Sequence, residues 1–196
     1  MGVEIAQVGV EQLTVYAQVP IWFEVSEVLA VEAIDGGLGG LRMVEKPVVQ
    51  PYVKDYDAQA DGQEGPVHWP ERFDVRRWGF LLACEGDRTV GGATVAVDSP
   101  DVHMLENRDD LAVLWDIRVH PDARGRGIGS KLFAEAARWA REQGCKQLKV
   151  ETQNVNVQAC RFYAKQGCEL GGIERYGYAG CKEVSHETML LWYLDL

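Results

Sequence analysis

A strand, a glycine-rich turn and a helix follow one another between residues 111 and 143, and this stretch constrains the fold more than any other. Residues 112–119 are apolar and rich in β-branched side chains, which predicts a buried strand. Pro121 ends that strand, because proline fixes φ and has no N–H for a sheet ladder. Over residues 128–143 apolar side chains recur every fourth position, which predicts an amphipathic helix. Gly144 is a suitable residue to close it.

The turn between this strand and this helix has the composition of an anion-binding loop. Glycine lets the main chain approach a ligand closely. The first N–H groups of a helix have no intrahelical partner, and the helix dipole favours an anion beside them. Two arginines add positive charge, so we expect a diphosphate to bind here. The residues predicted to hold it are Arg124, Gly125, Arg126, Gly127, Ile128, Gly129 and Ser130.

Two common phosphate-binding motifs do not match this turn. Gly129-Ser130-Lys131 reverses the Gly-Lys-Ser/Thr order of the P-loop. The glycines are spaced G-x-G-x-G, whereas the dinucleotide motif requires G-x-G-x-x-G. An ordinary tight turn with solvated arginines is the alternative interpretation.

The composition limits the classes of partner. The chain has 196 residues, which is enough for one domain with a buried core. Its net charge of −10 argues against nucleic acid and anionic membranes as partners. The same charge suits a cationic substrate, although acidity also serves solubility.

The five cysteines are scattered without a C-x-x-C pair, so we expect no disulfide framework and no metal site. Neither a signal peptide nor an apolar stretch of membrane-spanning length is evident, and a cytoplasmic location is expected.

Hydrophobic patterns predict elements on both sides of the central stretch. Residues 1–20 have no clear pattern. The predicted elements are an extended segment at 21–34, a strand at 41–49 ending at Pro51, a hairpin of strands at 79–84 and 89–97, a strand at 147–152, a helix at 156–165, an extended segment at 168–173 and a strand at 187–194. The glycines at 36–40 would turn the first two into a hairpin.

The segment 52–70 combines aromatic rings with carboxylates. Its acidic residues are Asp55, Asp57, Asp61 and Glu64, and its aromatic residues include Tyr52, Tyr56 and Trp69. Rings and carboxylates together suit an ammonium group, through cation–π contacts and ion pairing. A solvated surface loop or a short helix is an equally good interpretation of the composition.

The pattern Arg-x-x-Gly-x-Gly after an apolar strand resembles the acetyl-CoA pyrophosphate motif of the GNAT N-acetyltransferases. A second segment at 147–166, with Asn156, Ala159, Phe162-Tyr163 and then Gly167, is similar to the next motif of that superfamily. Within the superfamily the chain resembles the streptothricin acetyltransferases. The residues that carry this closer resemblance are Trp115-Asp116-Ile117, residues 151–157, Ala159-Cys160, Leu170-Gly171-Gly172 and Trp192-Tyr193-Leu194.

The resemblance implies a fold and a co-substrate. The expected fold is α/β, with a mixed, mostly antiparallel central sheet that is splayed between its fourth and fifth strands and flanked by helices. Acetyl-CoA is the expected co-substrate. Residues 1–196 would form one domain, with a substrate-side part at 1–75 and an acetyl-CoA-binding core at 76–196.

The resemblance also implies roles for residues at the donor site. Main-chain groups of Ile117 and Val119, which flank Arg118, would hold the pantetheine arm and polarise the acetyl oxygen. Asn156 would contact the pantetheine, and Tyr163 would protonate the leaving thiolate. A buried aromatic at helical spacing is the alternative for Tyr163.

Two carboxylates are candidates for the base or for the anchor of the substrate's ammonium. Asp116 lies inside an apolar strand, where an unpaired carboxylate would be costly, and Glu151 ends a neighbouring strand. Each could instead be a structural ion-pair partner, and a water chain could serve as the base. The predicted substrate-binding residues are Tyr52, Asp55, Tyr56 and Trp115.

The expected reaction is acetyl transfer to a primary amine of a small cation, such as the β-lysine part of streptothricin or a lysine-like compound. Two alternatives stay open. One is a protein lysine or N-terminal acetyltransferase, and the other is a non-catalytic acyl-CoA-binding module. The sequence is compatible with a homodimer but does not determine the oligomeric state.

Overall fold

A computed structural model of the chain describes residues 2–58 and 64–196. These residues form nine strands and four α-helices, connected by loops and short 3₁₀ turns. The strands are β1 (Glu4–Val8), β2 (Trp22–Ala33), β3 (Leu41–Asp55), β4 (Gly79–Glu85), β5 (Arg88–Ala96), β6 (Leu111–Val119), β7 (Gln147–Gln153), β8 (Glu169–Glu174) and β9 (Met189–Asp195). The helices are α1 (Leu13–Tyr16), α2 (Trp69–Arg72), α3 (Ile128–Glu142) and α4 (Val157–Lys165).

The chain divides into two compact units. The first contains the described residues up to Trp22, those within Asp55–Val150, and Leu194–Leu196. The second contains Phe23–Lys54 and Glu151–Tyr193. Strand β7 begins in the first unit and ends in the second.

The first unit is built on strands in the order β1-β4-β5-β6-β7. Neighbouring strands are antiparallel except β6 and β7, which are parallel. In the described part of the chain, β6 and β7 pair only where Leu111–Val113 lies beside Gln147–Lys149. Beyond Val113, β6 stays paired with β5 alone. The predicted mixed sheet, splayed between its fourth and fifth strands, is confirmed.

Helix α3 packs on this sheet as its periodicity predicts. The residues at four-residue spacing are all buried, namely Ile128, Leu132, Ala136 and Ala140. The helix ends at Glu142, one residue earlier than predicted, and Gly144 adopts the left-handed conformation with φ of 89°. Glycine is favoured there because it has no Cβ to oppose a positive φ.

Two adjacent glycines on β5 show which elements cover the sheet. A Cβ on Gly91 would lie 3.0 Å from the Leu132 side chain of α3, and a Cβ on Gly92 would lie 2.4 Å from the ring of Tyr16. Successive residues of a strand point to opposite faces. Helix α3 therefore covers one face, and α1 covers the other with a core that includes Trp69 and Trp78.

In the second unit, β2 and β3 form a separate two-stranded sheet, which confirms the predicted hairpin. The prediction that the second strand ends at Pro51 is wrong, because β3 continues to Asp55. Proline donates no hydrogen bond, so it is tolerated in a strand with an unpaired edge. The order of the remaining strands is β7-β9-β8, with β8 and β9 antiparallel.

The other predicted strands and helix α4 agree with the structure to within two residues at each end. The short elements β1, α1 and α2 were not predicted. None of the helices in residues 2–58 and 64–196 has the length and apolar character that crossing a bilayer requires.

Candidate functional site

The loop before α3 has the geometry expected of an anion-binding site. Gly125 and Gly127 adopt positive φ of 74° and 79°, and a Cβ at either position would meet no atom within 4 Å. Gly127 is the N-cap of α3, and no side chain caps the helix there. The loop is therefore open at both glycines, and the dipole of α3 favours an anion beside it. Binding of a diphosphate in this loop stays a prediction.

The two arginines of this loop contact protein groups. Arg124 donates to the carbonyl of Val119 at 3.0 Å and to the carbonyl of Trp22 at 2.8 Å. Its guanidinium also lies 5.5 Å from the centre of the Trp22 ring, and desolvation lowers its pKa. Arg126 forms an ion pair with Glu85. The positive charge of Arg126 is therefore balanced locally, whereas these partners of Arg124 are uncharged.

Strand β6 presents an unpaired edge beside this loop. The N–H of His120 donates to the carbonyl of Val90 on β5 at 2.9 Å. Hydrogen-bonding direction alternates along an antiparallel pair, so the main chain of Arg118 faces β5. The polar main-chain groups of Ile117 and Val119 consequently face the opposite edge, where β7 has separated from β6. An extended ligand could bind that edge as an added strand does.

Asp116 accepts three hydrogen bonds on the face of β6 that lies toward α1. Tyr16 donates its hydroxyl at 2.5 Å, and Arg118 donates two N–H groups at 2.7 and 2.9 Å. Burial, reinforced by the charge of Asp116, raises the pKa of Tyr16, so its phenol stays protonated. Burial opposes the charge on Arg118, but Asp116 raises the pKa of that guanidinium above its ordinary value. Tyr16 lies in the part of the sequence without a clear pattern and was not predicted as a site residue.

A β-bulge places Trp115 on the same face as Asp116. Thr94 pairs with Asp116 and Val95 pairs with Leu114, so Trp115 has no partner on β5. Its ring packs on the aromatic core, 5.4 Å from Trp78 and 5.0 Å from Phe73 between ring centres. Simple strand alternation would place Trp115 and Asp116 on opposite faces.

Residues of the acidic segment 52–70 lie near the face of β6 that carries Asp116. Asp55 accepts a hydrogen bond from the N–H of Asp57 at 3.0 Å, and the N–H of Tyr56 donates to the carbonyl of Ile21 at 3.1 Å. Asp57 accepts from Arg118 at 3.0 Å. Asp61 lies outside the described residues.

In the second unit, Glu151 belongs to a hydrogen-bonded chain of three residues. The hydroxyl of Tyr178 donates to Glu151 at 2.5 Å and accepts from the side-chain amide of Gln153 at 2.9 Å. The sequence identified Tyr178 only as part of a connection. No local signal predicts its contact, because it is 27 residues from Glu151.

The remaining predicted residues of the second unit lie on α4 and β3. The side chain of Asn156 caps α4 by accepting from the N–H of Ala159 at 3.1 Å, and Tyr163 is buried on that helix. Tyr52 on β3 is 40% exposed. Partial burial is the main cause that raises the pKa of its hydroxyl, and the charge of Glu187 adds to the effect. The predicted site residues are therefore divided between the two units. The first unit contains the glycine loop before α3, the unpaired edge of β6, Trp115, Asp116 and residues 55–56. The second unit contains Tyr52, Glu151, Asn156 and Tyr163.

Known proteins resemble this chain in sequence and in fold. Residues 50–168 match the model of the acetyltransferase (GNAT) family. A streptothricin acetyltransferase of Escherichia coli is 32% identical over 145 residues, which cover 74% of this chain and 71% of the relative. A streptothricin acetyltransferase of Streptomyces lavendulae is 30% identical over 165 residues, covering 77% and 81%.

A solved structure of a Bacillus anthracis protein in complex with acetyl coenzyme A superposes with a TM-score of 0.76. It is 24% identical, and the match covers all of both chains. This likeness confirms the predicted α/β fold.

Proposed function

The chain belongs to the GNAT family of acetyltransferases, and from that premise we propose that it transfers an acetyl group from acetyl-CoA to a primary amine of a small cation. The acceptor proposed is the β-lysine amine of streptothricin or a lysine-like compound. The observation that carries the choice of acceptor is the match, across most of each chain, to two relatives named as streptothricin acetyltransferases.

We assign the donor to the first unit. Acetyl-CoA supplies the acetyl group as an activated thioester. The main-chain N–H groups of residues 124–130 would hold its diphosphate, where the dipole of α3 favours negative charge. The main chain of Ile117 and Val119 would hold the extended arm along the unpaired edge of β6 and polarise the acetyl oxygen. For Asn156, in the second unit, the contact with the pantetheine stays a prediction from the family resemblance.

Two steps of proton transfer complete the reaction. The acceptor must be a neutral amine to attack the thioester, and the departing thiolate takes up a proton. Tyr163 is proposed as the acid that supplies this proton. A phenol suits the task because its oxygen donates while neutral at physiological pH.

The two candidate carboxylates differ in their surroundings, and their proposed roles differ accordingly. Asp116 already accepts two hydrogen bonds from the guanidinium of Arg118 and one from the hydroxyl of Tyr16, so its oxygens are largely occupied by protein groups. Glu151 accepts from the neutral hydroxyl of Tyr178. We therefore propose that Glu151 is the base or the anchor of the ammonium group. Asp116 is proposed to supply negative charge beside Trp115.

The acceptor would meet aromatic and acidic groups. Tyr52, Tyr56 and Trp115 offer ring faces, and Asp55 offers a carboxylate. Together these suit an ammonium group. The net charge of −10 would favour the approach of a cation.

A panel of acceptors tests this function. Thiol release from acetyl-CoA is followed with streptothricin, lysine, polyamines, lysine-containing peptides and peptides with free N-termini. We expect the highest kcat/KM with streptothricin or lysine. Higher kcat/KM on peptides would instead support a protein acetyltransferase, and acetyl-CoA binding without turnover of any amine would support a non-catalytic module.

A further inference from the structure

The guanidinium of Arg118 lies inside the first unit and meets acceptors from three parts of the chain. Two of its N–H groups bind the carboxylate of Asp116, at 2.9 and 2.7 Å. Its Nη1 donates to the carbonyl of Val19 and to Asp57, both at 3.0 Å. Its carbon Cζ lies 5.2 Å from the centre of the Tyr16 ring. The side chain is 3% exposed.

Two of these partners are remote in the sequence. Asp116 and Arg118 are two residues apart on one strand, so their side chains share a face. They could pair without any contact from another segment of the chain. Val19 and Asp57 are 99 and 61 positions away from Arg118. The segments that carry them also bind each other, because the N–H of Ile21 donates to Asp57 at 3.1 Å. Arg118 thus ties two remote segments to the middle of β6.

This middle part of β6 is held on one edge only. Its pairing with β7 stops at Val113, whereas its pairing with β5 continues to Val119. Ile117 and Val119, whose main chain is proposed to hold the donor, lie on either side of Arg118. A misplacement of about 1 Å in the groups that position a reacting centre can lower the rate about 100-fold.

We propose that Arg118 is a positioning residue, whose clamp on Asp116, Asp57 and Val19 sets where the main chain of β6 meets the acetyl donor. Arginine suits this role because its planar fork binds several oxygens at fixed angles, whereas lysine offers a single point charge. The inference rests on the proposed donor site at β6. It extends that site to Asp57, which lies 34% exposed in the segment predicted to face the acceptor.

The first test replaces Arg118 by lysine, which keeps the charge and removes the fork. We expect the dissociation constant of acetyl-CoA, measured by calorimetry, to rise about tenfold or more. In the ligand-free protein, we expect amide hydrogen exchange at residues 116–118 to speed up while β4 is unaffected. Arg138→Lys is the matched control, since Arg138 pairs with Glu135 and Glu142 on the exposed side of α3. It should change neither quantity.

The second test, Asp57→Asn, changes a partner that is not on β6. If the clamp acts as proposed, this variant also weakens acetyl-CoA binding, and adding it to Arg118→Lys has little further effect. An Asp57→Asn protein with unchanged acetyl-CoA affinity would overturn the proposal. So would an Arg118→Lys protein with unchanged acetyl-CoA affinity, or with exchange accelerated equally in β4 and β5.

Neither the measurement of acetyl-CoA binding nor that of amide hydrogen exchange requires an amine that accepts the acetyl group. Failure of the acceptor panel therefore leaves these two tests intact, and the two failures can be told apart. If Arg118→Lys does not fold, the Asp57→Asn protein still decides the question.

Discussion

The buried ion pair between Lys54 and Glu187 permits a quantitative prediction about the second unit. Lys54 lies on β3, and Glu187 lies shortly before β9. Their side chains are 6% and 3% exposed, and both carboxylate oxygens lie 2.5 Å from the ammonium nitrogen. We predict that Glu187→Gln is strongly destabilising, because it removes the carboxylate that faces a buried ammonium.

The size of the effect follows from this burial. Removing one partner of a buried ion pair typically costs about 3–5 kcal/mol, because the other charge stays desolvated. For a chain of this length each kcal/mol lowers Tm by roughly 2–4 °C. The expected fall in Tm is therefore about 6–20 °C.

The double variant Lys54→Met/Glu187→Leu separates charge from packing. It removes both charges and keeps similar volume, so we expect it to recover most of the lost stability. Urea unfolding followed by tryptophan fluorescence and circular dichroism measures the free energy of unfolding of each variant. Glu135→Gln, at a solvent-exposed pair on α3, is the control and should have little effect.

Two results would refute this reasoning. A loss below about 1 kcal/mol in Glu187→Gln, the range of solvent-exposed pairs, would mean that water screens the Lys54–Glu187 pair. A double variant as unstable as the single one would mean that side-chain packing, and not charge, is responsible for the loss.

Tyr163→Phe should lower kcat far more than it alters acetyl-CoA affinity, and equal losses in steady-state kinetics and calorimetry would contradict the acid role. Gly92→Ala should lower the free energy of unfolding by about 1–3 kcal/mol, since the new Cβ would lie 2.4 Å from the Tyr16 ring; an unchanged urea midpoint would refute this. Iodoacetamide should label exposed Cys181 before Cys168, because burial raises the pKa of Cys168 to about 11 and only the thiolate attacks. The labelling of Cys168 should accelerate as the pH rises, and equal rates in peptide mass spectrometry would exclude this explanation.

Local patterns were sufficient to predict the donor-side elements. The four-residue spacing from Ile128 predicted α3, and the glycines before it predicted a tight turn without Cβ atoms between the strand and the helix. Both depend on interactions within a few residues, namely the helical period and the absence of a Cβ. The strand before the loop was equally clear, because its apolar run is uninterrupted and Pro121 stops it.

Boundaries and partners were harder to predict from the sequence. Pro51 suggested a strand end because proline cannot donate to a ladder, yet the strand continues since one edge of β3 is unpaired. The bulge at Trp115 depends on how β5 pairs with β6, and no residue in the sequence marks it. No local pattern indicated that Arg124 binds two main-chain carbonyls or that Arg126 binds Glu85.

The sequence by itself determined the order of strands β2 to β9 and of helices α3 and α4, the glycine loop at the start of α3 and the resemblance to the GNAT family. Only the tertiary structure decided which polar groups meet. Tyr16 and Asp116 are 100 residues apart, and Lys54 and Glu187 are 133 apart. Contacts over such distances leave no periodic trace in the chain, because they form only when separate segments are packed against one another.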